Sequence, residues 1–343
     1  MAGVLKSTAA EALLCRDRAV RSLPNRWRCG VGSPGNGGEG DDVRVREPTS
    51  EFLTVAEDSR RWRHVTLRPD DIVISTPQKS GTTWMQGVVG SLLRWSDDDL
   101  GGVFRGTAWP EFRADSVEAL IDRLEAIDGR RSLKTHSPAD CIPVADEDVC
   151  YVLVYRHGPD AFASWTNHRA RFSLEALALL NERAARDGLA PWPTYEGDVA
   201  GLFEEWQRDC NPVCHLATWW PLREQANVLF VHYADLTADL DEEMRRVAQH
   251  LAVEVPADRW STIVERCRLA SMRSTATRSG ELDWAFDGGA DAFFYKGGHD
   301  RGEQVLDDDL TVRYQQMTSA LPADAADWLA AGTRKTGIQP AKR

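Results

Sequence analysis

From about residue 51 onward, short runs of apolar and often β-branched residues alternate with longer stretches that have helical spacing. The runs that predict strands lie at 71–75 (DIVIS), 131–136 (RSLKTH), 150–156 (CYVLVYR) and 227–233 (NVLFVHY), of which the second is short and mostly polar. Helices are expected over 83–95, from about residue 160, and within 240–251. This order of elements is typical of strand-helix-strand units packed around one sheet. We therefore predict an α/β fold with three layers, α/β/α, around a central and mostly parallel sheet.

Residues 1–50 do not share this pattern. Glycine, serine, proline and asparagine are concentrated in the run 30–42, and no apolar period is sustained before residue 51. Such a composition is typical of a flexible connection. We predict a flexible N-terminal extension over residues 1–50 and one globular domain over residues 51–335.

The composition mainly excludes some kinds of partner and location. The chain has 343 residues, of which 27% are charged, and a formal net charge of −12. A negative surface disfavours a long nucleic acid as a partner, although it is compatible with a local basic pocket for a small anion. No run approaches the roughly 18 apolar residues of a membrane span, and Lys6, Glu11 and Arg16 interrupt the start of the chain. We therefore expect a cytoplasmic protein that does not enter a membrane.

The first apolar run leads directly into a loop rich in hydrogen-bond donors. Lys79 and Gly81 lie in this loop, and a predicted helix starts just after it. Glycine lets the backbone approach an anion, and the first N–H groups of a helix are free to bind one. The hydroxyls of Ser80, Thr82 and Thr83 add further donors. The segment predicts a phosphate site, and it differs from the P-loop of nucleotide kinases because its lysine precedes the glycine.

A lysine and a histidine are two residues apart on the predicted short strand 131–136. Side chains two apart on a strand face the same side, so Lys134 and His136 are expected to point into one cleft, with Thr135 turned away. A neighbouring ammonium lowers the pKa of an imidazole and favours its neutral form near pH 7. The pair therefore predicts a general base.

A second anion contact is expected after the third run. Arg156 ends that run, and Ser164 lies eight residues later in the next predicted helix. Because the two elements are adjacent, both side chains can converge on one phosphate.

These motifs, in this order, resemble those of the PAPS-dependent sulfotransferases, both the cytosolic type and the bacterial sulfotransferase domain proteins. PAPS is 3′-phosphoadenylyl sulfate, and PAP is its desulfated product. The segment 79–84 (KSGTTW) is similar to the 5′-phosphosulfate loop of that family, and 134–138 (KTHSP) is similar to its Lys-Thr-His motif. Arg156 and Ser164 match its 3′-phosphate motif. The resemblance extends over residues 70 to about 310 and implies a P-loop-like fold.

The resemblance also implies roles for single residues. His136 would take the proton of the acceptor, while Lys134 and Lys79 would stabilise the charge on the transferring sulfuryl group and the departing phosphate. A sulfuryl group carries less negative charge than a phosphoryl group, so no magnesium is expected. Further implied contacts are Trp84, Tyr233 and Ser271 on the adenine side, and Lys296, Gly297 and Arg301 in a loop over the 3′-phosphate.

Several positions depart from the family pattern. Gln78 replaces a proline-containing context, and Asp300 and Gly302 replace a glycine and a tryptophan of the C-terminal loop. Because of these departures, one alternative is a nucleotide-binding protein with impaired catalysis. A kinase for a small molecule or a nucleotide is the other alternative, although a carboxylate site for magnesium is not evident in the sequence. Cys210, Cys214 and His215 lack a second pair at zinc spacing, so we expect no metal.

The acceptor is predicted to be a small apolar or aromatic alcohol or phenol, or less readily an amine, and a homodimer stays open. Aromatic side chains between the motifs are expected to divide between the core and an apolar pocket beside His136. They are Trp109, Phe112, Trp165, Phe172, Trp192, Trp206, Trp219 and Trp220. Of the other histidines, His168 and His299 are expected to lie nearest a ligand.

Overall fold

The computed structural model describes residues 20–22, 43–294 and 302–340. The centre of this part of the chain is a parallel sheet of five strands. In sheet order the strands are β5 (Thr107–Ala108), β6 (Ser132–Thr135), β4 (Ile72–Ser75), β8 (Cys150–Tyr155) and β9 (Val228–His232). The predicted α/β fold is confirmed, and each predicted strand contains an observed strand that is shorter by one or two residues.

Both faces of the sheet are buried, which explains why β4, β8 and β9 are runs of mostly apolar residues rather than alternating apolar and polar ones. Ile72 and Ile74 on β4 pack against one layer of helices, α1 (Thr82–Leu93), α8 (Leu240–His250) and α9 (Ala257–Arg266). Val73, between them, packs in the opposite core with Trp219 and Trp328. Successive side chains of a strand point to opposite faces, so one short run supplies both layers of the core.

The other helices surround this sandwich. They are α2 (Val117–Glu125), α3 (Gly158–Arg171), α4 (Leu174–Ala185), α5 (Val199–Asp209), α6 (Pro212–Trp219), α7 (Tyr233–Ala238), α10 (Leu269–Ser279), α11 (Gly289–Phe293), α12 (Asp308–Thr318) and α13 (Ala323–Thr336). Short 3-10 helices lie at Ser59–His64, Ala139–Cys141, Trp220–Leu222 and Gly302–Gln304. In the residues described, no helix has the length and apolarity needed to cross a bilayer.

Two small antiparallel pairs flank the main sheet. The strand β1 (Val20–Ser22) pairs with β3 (Ser50–Phe52), and β2 (Val45–Arg46) pairs with β7 (Val144–Ala145). Part of the predicted N-terminal extension therefore contacts the globular domain, and the domain boundary at residue 50 stays a prediction.

The strand ends determine where a site can form. In an open parallel sheet the loops after the strands meet at one edge, where ligands bind. The residues that directly follow β5, β6, β4, β8 and β9 are Trp109, His136, Thr76, Arg156 and Tyr233.

Candidate active site

A cavity of about 850 Å³ lies at this edge of the sheet. Most of the site residues predicted from the sequence line it: Lys79, Gly81, Thr82, Thr83, Trp84, Lys134, His136, Arg156, Ser164 and Tyr233. They come from four different strand ends and two helices, so the fold brings the separate motifs into one space.

The loop after β4 has the backbone of an anion cradle. Gly81 has φ of 114°, and a Cβ atom there would lie 3.1 Å from Cδ2 of Tyr233. Both the left-handed backbone and the close approach of that ring therefore require glycine. The helix α1 begins at the next residue, so its first N–H groups are available to an anion. The Ser80 hydroxyl is fully buried and has no hydrogen-bond partner among the residues described.

Two lysines enter the cavity with lowered proton affinity. Burial lowers the pKa of Lys79 to about 7, and the charges of Lys134 and Arg156 act in the same direction. Burial likewise lowers the pKa of Lys134 to about 8, although Glu57 and Glu111 oppose this shift. The Lys79 ammonium lies 3.2 Å from Nδ1 of His168. The Lys134 ammonium lies 3.3 Å from the centroid of the Trp109 ring.

His136 is held in the tautomer that a base requires. Its Nδ1 lies 2.7 Å from the backbone carbonyl oxygen of Thr76, and because a carbonyl only accepts, Nδ1 carries the hydrogen. Nε2 therefore keeps a lone pair when the ring is neutral. Burial lowers the pKa of His136 well below its usual value, and the charge of Lys134 lowers it further. The ring is neutral at pH 7 and can accept a proton.

The residues on the other side of the loop form an aromatic and cationic corner. The Arg156 guanidinium carbon lies 4.3 Å from the centroid of the Tyr233 ring. Trp84 meets the same ring edge to face at 5.3 Å, and its indole N–H donates to the Cys267 carbonyl at 2.8 Å. Ser164, on α3, lines the cavity together with Arg156. A flat base and a phosphate can both be accommodated here.

Some predicted residues do not line the cavity. Ser271 lies on the outer face of α10, where its hydroxyl is 3.4 Å from Glu265, and its neighbour Met272 lines the cavity instead. The structure thus does not support the implied adenine contact for Ser271. Ser80 is buried beneath the loop rather than exposed to the cavity. Lys296, Gly297, His299, Asp300 and Arg301 lie outside the described residues.

Aromatic rings form a large part of the cavity lining, which we call the aromatic wall. Trp109 and Phe112 stack with ring centroids 4.1 Å apart, and Phe172 packs against Phe286. Of the tryptophans considered from the sequence, Trp109 and Trp192 line the cavity, while Trp165, Trp206, Trp219 and Trp220 are buried in the cores. The wall also includes Phe104, Trp284, Phe286, Phe293 and Phe294, which sequence reasoning did not identify.

Two buried carboxyl groups near the cavity were also missed. Glu57 accepts a hydrogen bond from the Gln78 side chain at 2.5 Å, and burial raises the pKa of Glu57 to about 8. Glu111 contacts the segment that bears His136. Glu57 follows β3, a strand of three residues, and Glu111 follows β5, a strand of two residues. Elements this short show no periodic pattern, so the sequence does not predict that these carboxyl groups lie near the site.

No metal-binding group of three or more His, Cys, Asp or Glu side chains occurs within residues 43–294 and 302–340. The cationic side chains of Lys79, Lys134 and Arg156 line the cavity together with the start of α1, and Glu57, which also lines it, accepts a hydrogen bond from Gln78 of the loop. The site thus has the chemistry of an anion receptor with a neutral base beside it.

Comparison with known proteins agrees with this chemistry. Residues 69–325 match the model of the sulfotransferase domain. A glycolipid sulfotransferase of Mycobacterium tuberculosis is 31% identical, over 84% of this chain and 96% of that protein. Sulfotransferase 1A1 of the rat is 24% identical, over 62% of this chain and 69% of that protein.

Solved structures show the same fold. The crystal structure of the mouse sulfotransferase SULT7A1 complexed with PAP has a TM-score of 0.60 at 16% identity, and the match covers 83% of this chain and 97% of that one. Retinol dehydratase, solved with androsterone and the inactive cofactor PAP, has a TM-score of 0.59 at 17% identity, over 81% of this chain and 89% of that one.

Proposed function

Because the chain belongs to the sulfotransferase domain family, we propose that it transfers a sulfuryl group from PAPS to a hydroxyl group of a small organic acceptor. The observation that carries the proposal is that the anion cradle at 79–83 and the basic Nε2 of His136 share one cavity. A donor in the cradle and a hydroxyl at the imidazole can therefore meet.

The cradle fits the donor at both of its charged ends. The N–H groups at the start of α1, the Lys79 ammonium and the Thr82 and Thr83 hydroxyls would hold the 5′-phosphosulfate. Arg156 and Ser164 would hold the 3′-phosphate. The adenine would lie at Trp84 and Tyr233, by analogy with the family motif.

The transfer needs one proton acceptor and charge stabilisation. The acceptor oxygen forms a bond to sulfur as its proton passes to Nε2 of His136, and the bond from sulfur to the phosphate oxygen breaks. Lys79 and Lys134 stabilise the negative charge on the departing phosphate and the sulfuryl oxygens. A positioned base contributes about 100- to 10,000-fold in rate, and alignment with electrostatics supplies most of the rest.

The aromatic wall favours an acceptor with an apolar body. Trp109 meets the His136 ring and stacks on Phe112, so a phenol or an apolar alcohol would place its hydroxyl at the base and its carbon skeleton against these rings. The mycobacterial relatives are glycolipid sulfotransferases, which adds lipid alcohols to the acceptors that need testing.

The test is a product screen. The protein is incubated with labelled PAPS and a panel of phenols, apolar alcohols, amines and glycolipids, and products are analysed for the added mass of a sulfuryl group. We expect label transfer to at least one hydroxyl compound, and a rate lower by about 100-fold or more with the His136→Ala variant. PAP binding without any sulfated product would support a catalytically impaired protein, and magnesium-dependent ATP turnover would support a kinase.

The cytoplasmic location and the homodimer stay predictions from the sequence. Cell fractionation of the tagged protein and size-exclusion chromatography with light scattering would check them.

A further inference from the structure

Glu111 is a fully buried carboxyl group that the proposed mechanism does not use. Its Oε1 accepts a hydrogen bond from the backbone N–H of His136 at 2.6 Å. Its Oε2 accepts from the hydroxyls of Thr135 and Ser137, each at 2.7 Å, and from the indole N–H of Trp62 at 3.1 Å. Both oxygens thus act as acceptors, which is the arrangement of a carboxylate.

Glu111 belongs to a short segment that contacts every residue from 134 to 137. Two positions earlier, the Trp109 ring meets the His136 ring edge to face, with centroids 5.4 Å apart, and lies under the Lys134 ammonium. Glu111 then bonds to the next three residues of that strand end. Residues 109–111 therefore contact both members of the lysine and histidine pair.

His136 is held at two points by different groups. Its ring is oriented by the Thr76 carbonyl, and its backbone is held by Glu111. The ring contact sets the tautomer, whereas the backbone contact sets where the whole residue lies relative to the loop. A base displaced by about 1 Å loses much of its effect, about 100-fold in rate.

We propose that Glu111 is a positioning residue for the transfer: its carboxylate holds residues 135–137 so that Nε2 of His136 faces the acceptor hydroxyl, and its negative charge supports the cationic form of Lys134. This inference rests on the proposed function. It assigns Glu111 no contact with substrate.

The effect of the Glu111 charge on Lys134 can be measured separately from the positioning of His136. Lys134 faces Glu57 and Glu111, which favour its protonated form, and Lys79, His136 and His168, whose charged forms disfavour it. The pKa of Lys134 is about 8 with both carboxyl groups present. Removal of the charge at Glu111 lowers that pKa, so activity that requires protonated Lys134 is lost at a lower pH.

The experiment compares Glu111→Gln with Asp71→Asn. Asp71 is also a buried carboxylate, but it bonds to Arg131 and precedes β4, at the opposite edge of the sheet from the cavity. For Glu111→Gln we expect kcat to fall by about 100-fold, with little change in PAP affinity, and the alkaline limb of the kcat profile to move to lower pH. For Asp71→Asn we expect a lower Tm with the wild-type kcat and alkaline limb.

Two further measurements keep the outcomes decisive. Ser137→Ala removes one hydrogen bond to Glu111, so if Glu111→Gln does not fold, a smaller fall in kcat for Ser137→Ala supports the proposal and an unchanged kcat overturns it. The exchange rate of the His136 backbone amide hydrogen, measured by NMR, reports its bond to Glu111 independently of activity, and we expect faster exchange in Glu111→Gln because a neutral amide is a weaker acceptor than a carboxylate.

The two proposals fail in different ways. A wild-type protein that sulfates no acceptor contradicts the proposed function, and the exchange of the His136 backbone amide then decides alone whether Glu111 holds that residue. An active wild type with unchanged kcat in folded Glu111→Gln contradicts the positioning role only.

Discussion

The donor side and the acceptor side of the cavity are built in different ways. The donor side comes mainly from the single segment 75–84, whose backbone turns, glycine and helix start follow one another along the chain. The acceptor side comes from Phe112, Phe172 and Trp284, which the fold brings together from distant segments. The donor site is therefore constrained as one unit, whereas the acceptor wall depends on the packing of several separate segments.

The two sides also use different forces. Charge and directed N–H groups dominate around Lys79, so binding there depends on pH and on single hydrogen bonds. Aromatic area dominates around Phe112, so binding there depends on the amount of apolar surface removed from water. His136 lies between the two sides and connects them through the reaction.

The largest effect is expected at this connection. His136→Ala removes the proton acceptor and should lower kcat by about 100- to 10,000-fold. PAP affinity should stay near the wild-type value, because the ring contacts the Thr76 carbonyl rather than the cradle donors. Steady-state kinetics and calorimetric titration with PAP check both parts, and an equal loss of turnover and binding would place His136 in the donor site.

Next in size is the loss of a donor-side cation. Lys79→Ala should weaken PAP binding by about 10- to 100-fold, because a hydrogen bond between charged groups contributes about 1.5–3 kcal/mol. The increase in Tm on addition of PAP, compared between the variant and the wild type, measures this loss of affinity. Lys335→Ala, which removes an exposed lysine on α13, is the matched control and should leave the shift unchanged. Equal shifts in the two variants would remove Lys79 from the site.

The pH dependence of donor binding should come from the same lysine. The pKa of Lys79 is about 7 in the unliganded protein, and a bound anion raises that pKa. Lys79 is protonated below pH 7 and must take up a proton to bind above it, so PAP affinity should fall between pH 7 and 9, by at most about tenfold per unit for one proton. Lys134, with a pKa of about 8, acts in the same direction. Calorimetry across this range should show a smaller slope for Lys79→Ala.

A smaller effect is expected on the acceptor side. Trp284 lines the cavity, yet 45% of it is exposed to solvent, so its truncation removes apolar contact without opening the core. Trp284→Ala should raise the KM of an apolar acceptor by about tenfold, the equivalent of about 1.4 kcal/mol, with PAP affinity unchanged. Val312→Ala, at an exposed apolar residue of α12, is the control. A change in PAP affinity for Trp284→Ala would show that the two sides are not separate.

The smallest effect distinguishes two serines. Ser164 lines the cavity and Ser271 does not. Ser164→Ala should weaken PAP binding by about fivefold, the cost of one hydrogen bond of about 1 kcal/mol, and Ser271→Ala should have no effect. Titration with PAP measures both, and the reverse order would return Ser271 to the adenine side.

The misplacement of Ser271 illustrates why single residues are harder to predict than elements. Neighbouring residues on a helix point about 100° apart, so a match displaced by one position selects the wrong face. In α10 the residue that reaches the cavity is Met272. For Lys134 and His136 the same uncertainty is smaller, because a strand has only two faces.

Other contacts of the site join residues that are far apart in the chain, so no local sequence pattern predicts them. Glu111 follows β5, a strand of two residues, and its role depends on hydrogen bonds to residues 24 to 26 positions away. His168 was expected near a ligand, but its contact with Lys79, 89 positions earlier, emerges only from the folded chain.

From its sequence alone, the chain determined the buried strands, the glycine-dependent loop before α1, and the shared face of Lys134 and His136. Each of these depends on backbone conformation over a few consecutive residues, and side-chain type and spacing encode such conformation directly. The tertiary structure alone decided the aromatic wall, the carboxylate behind His136 and the proton affinities of the two lysines. These depend on burial and on contacts between distant segments, which exist only once the layers have packed.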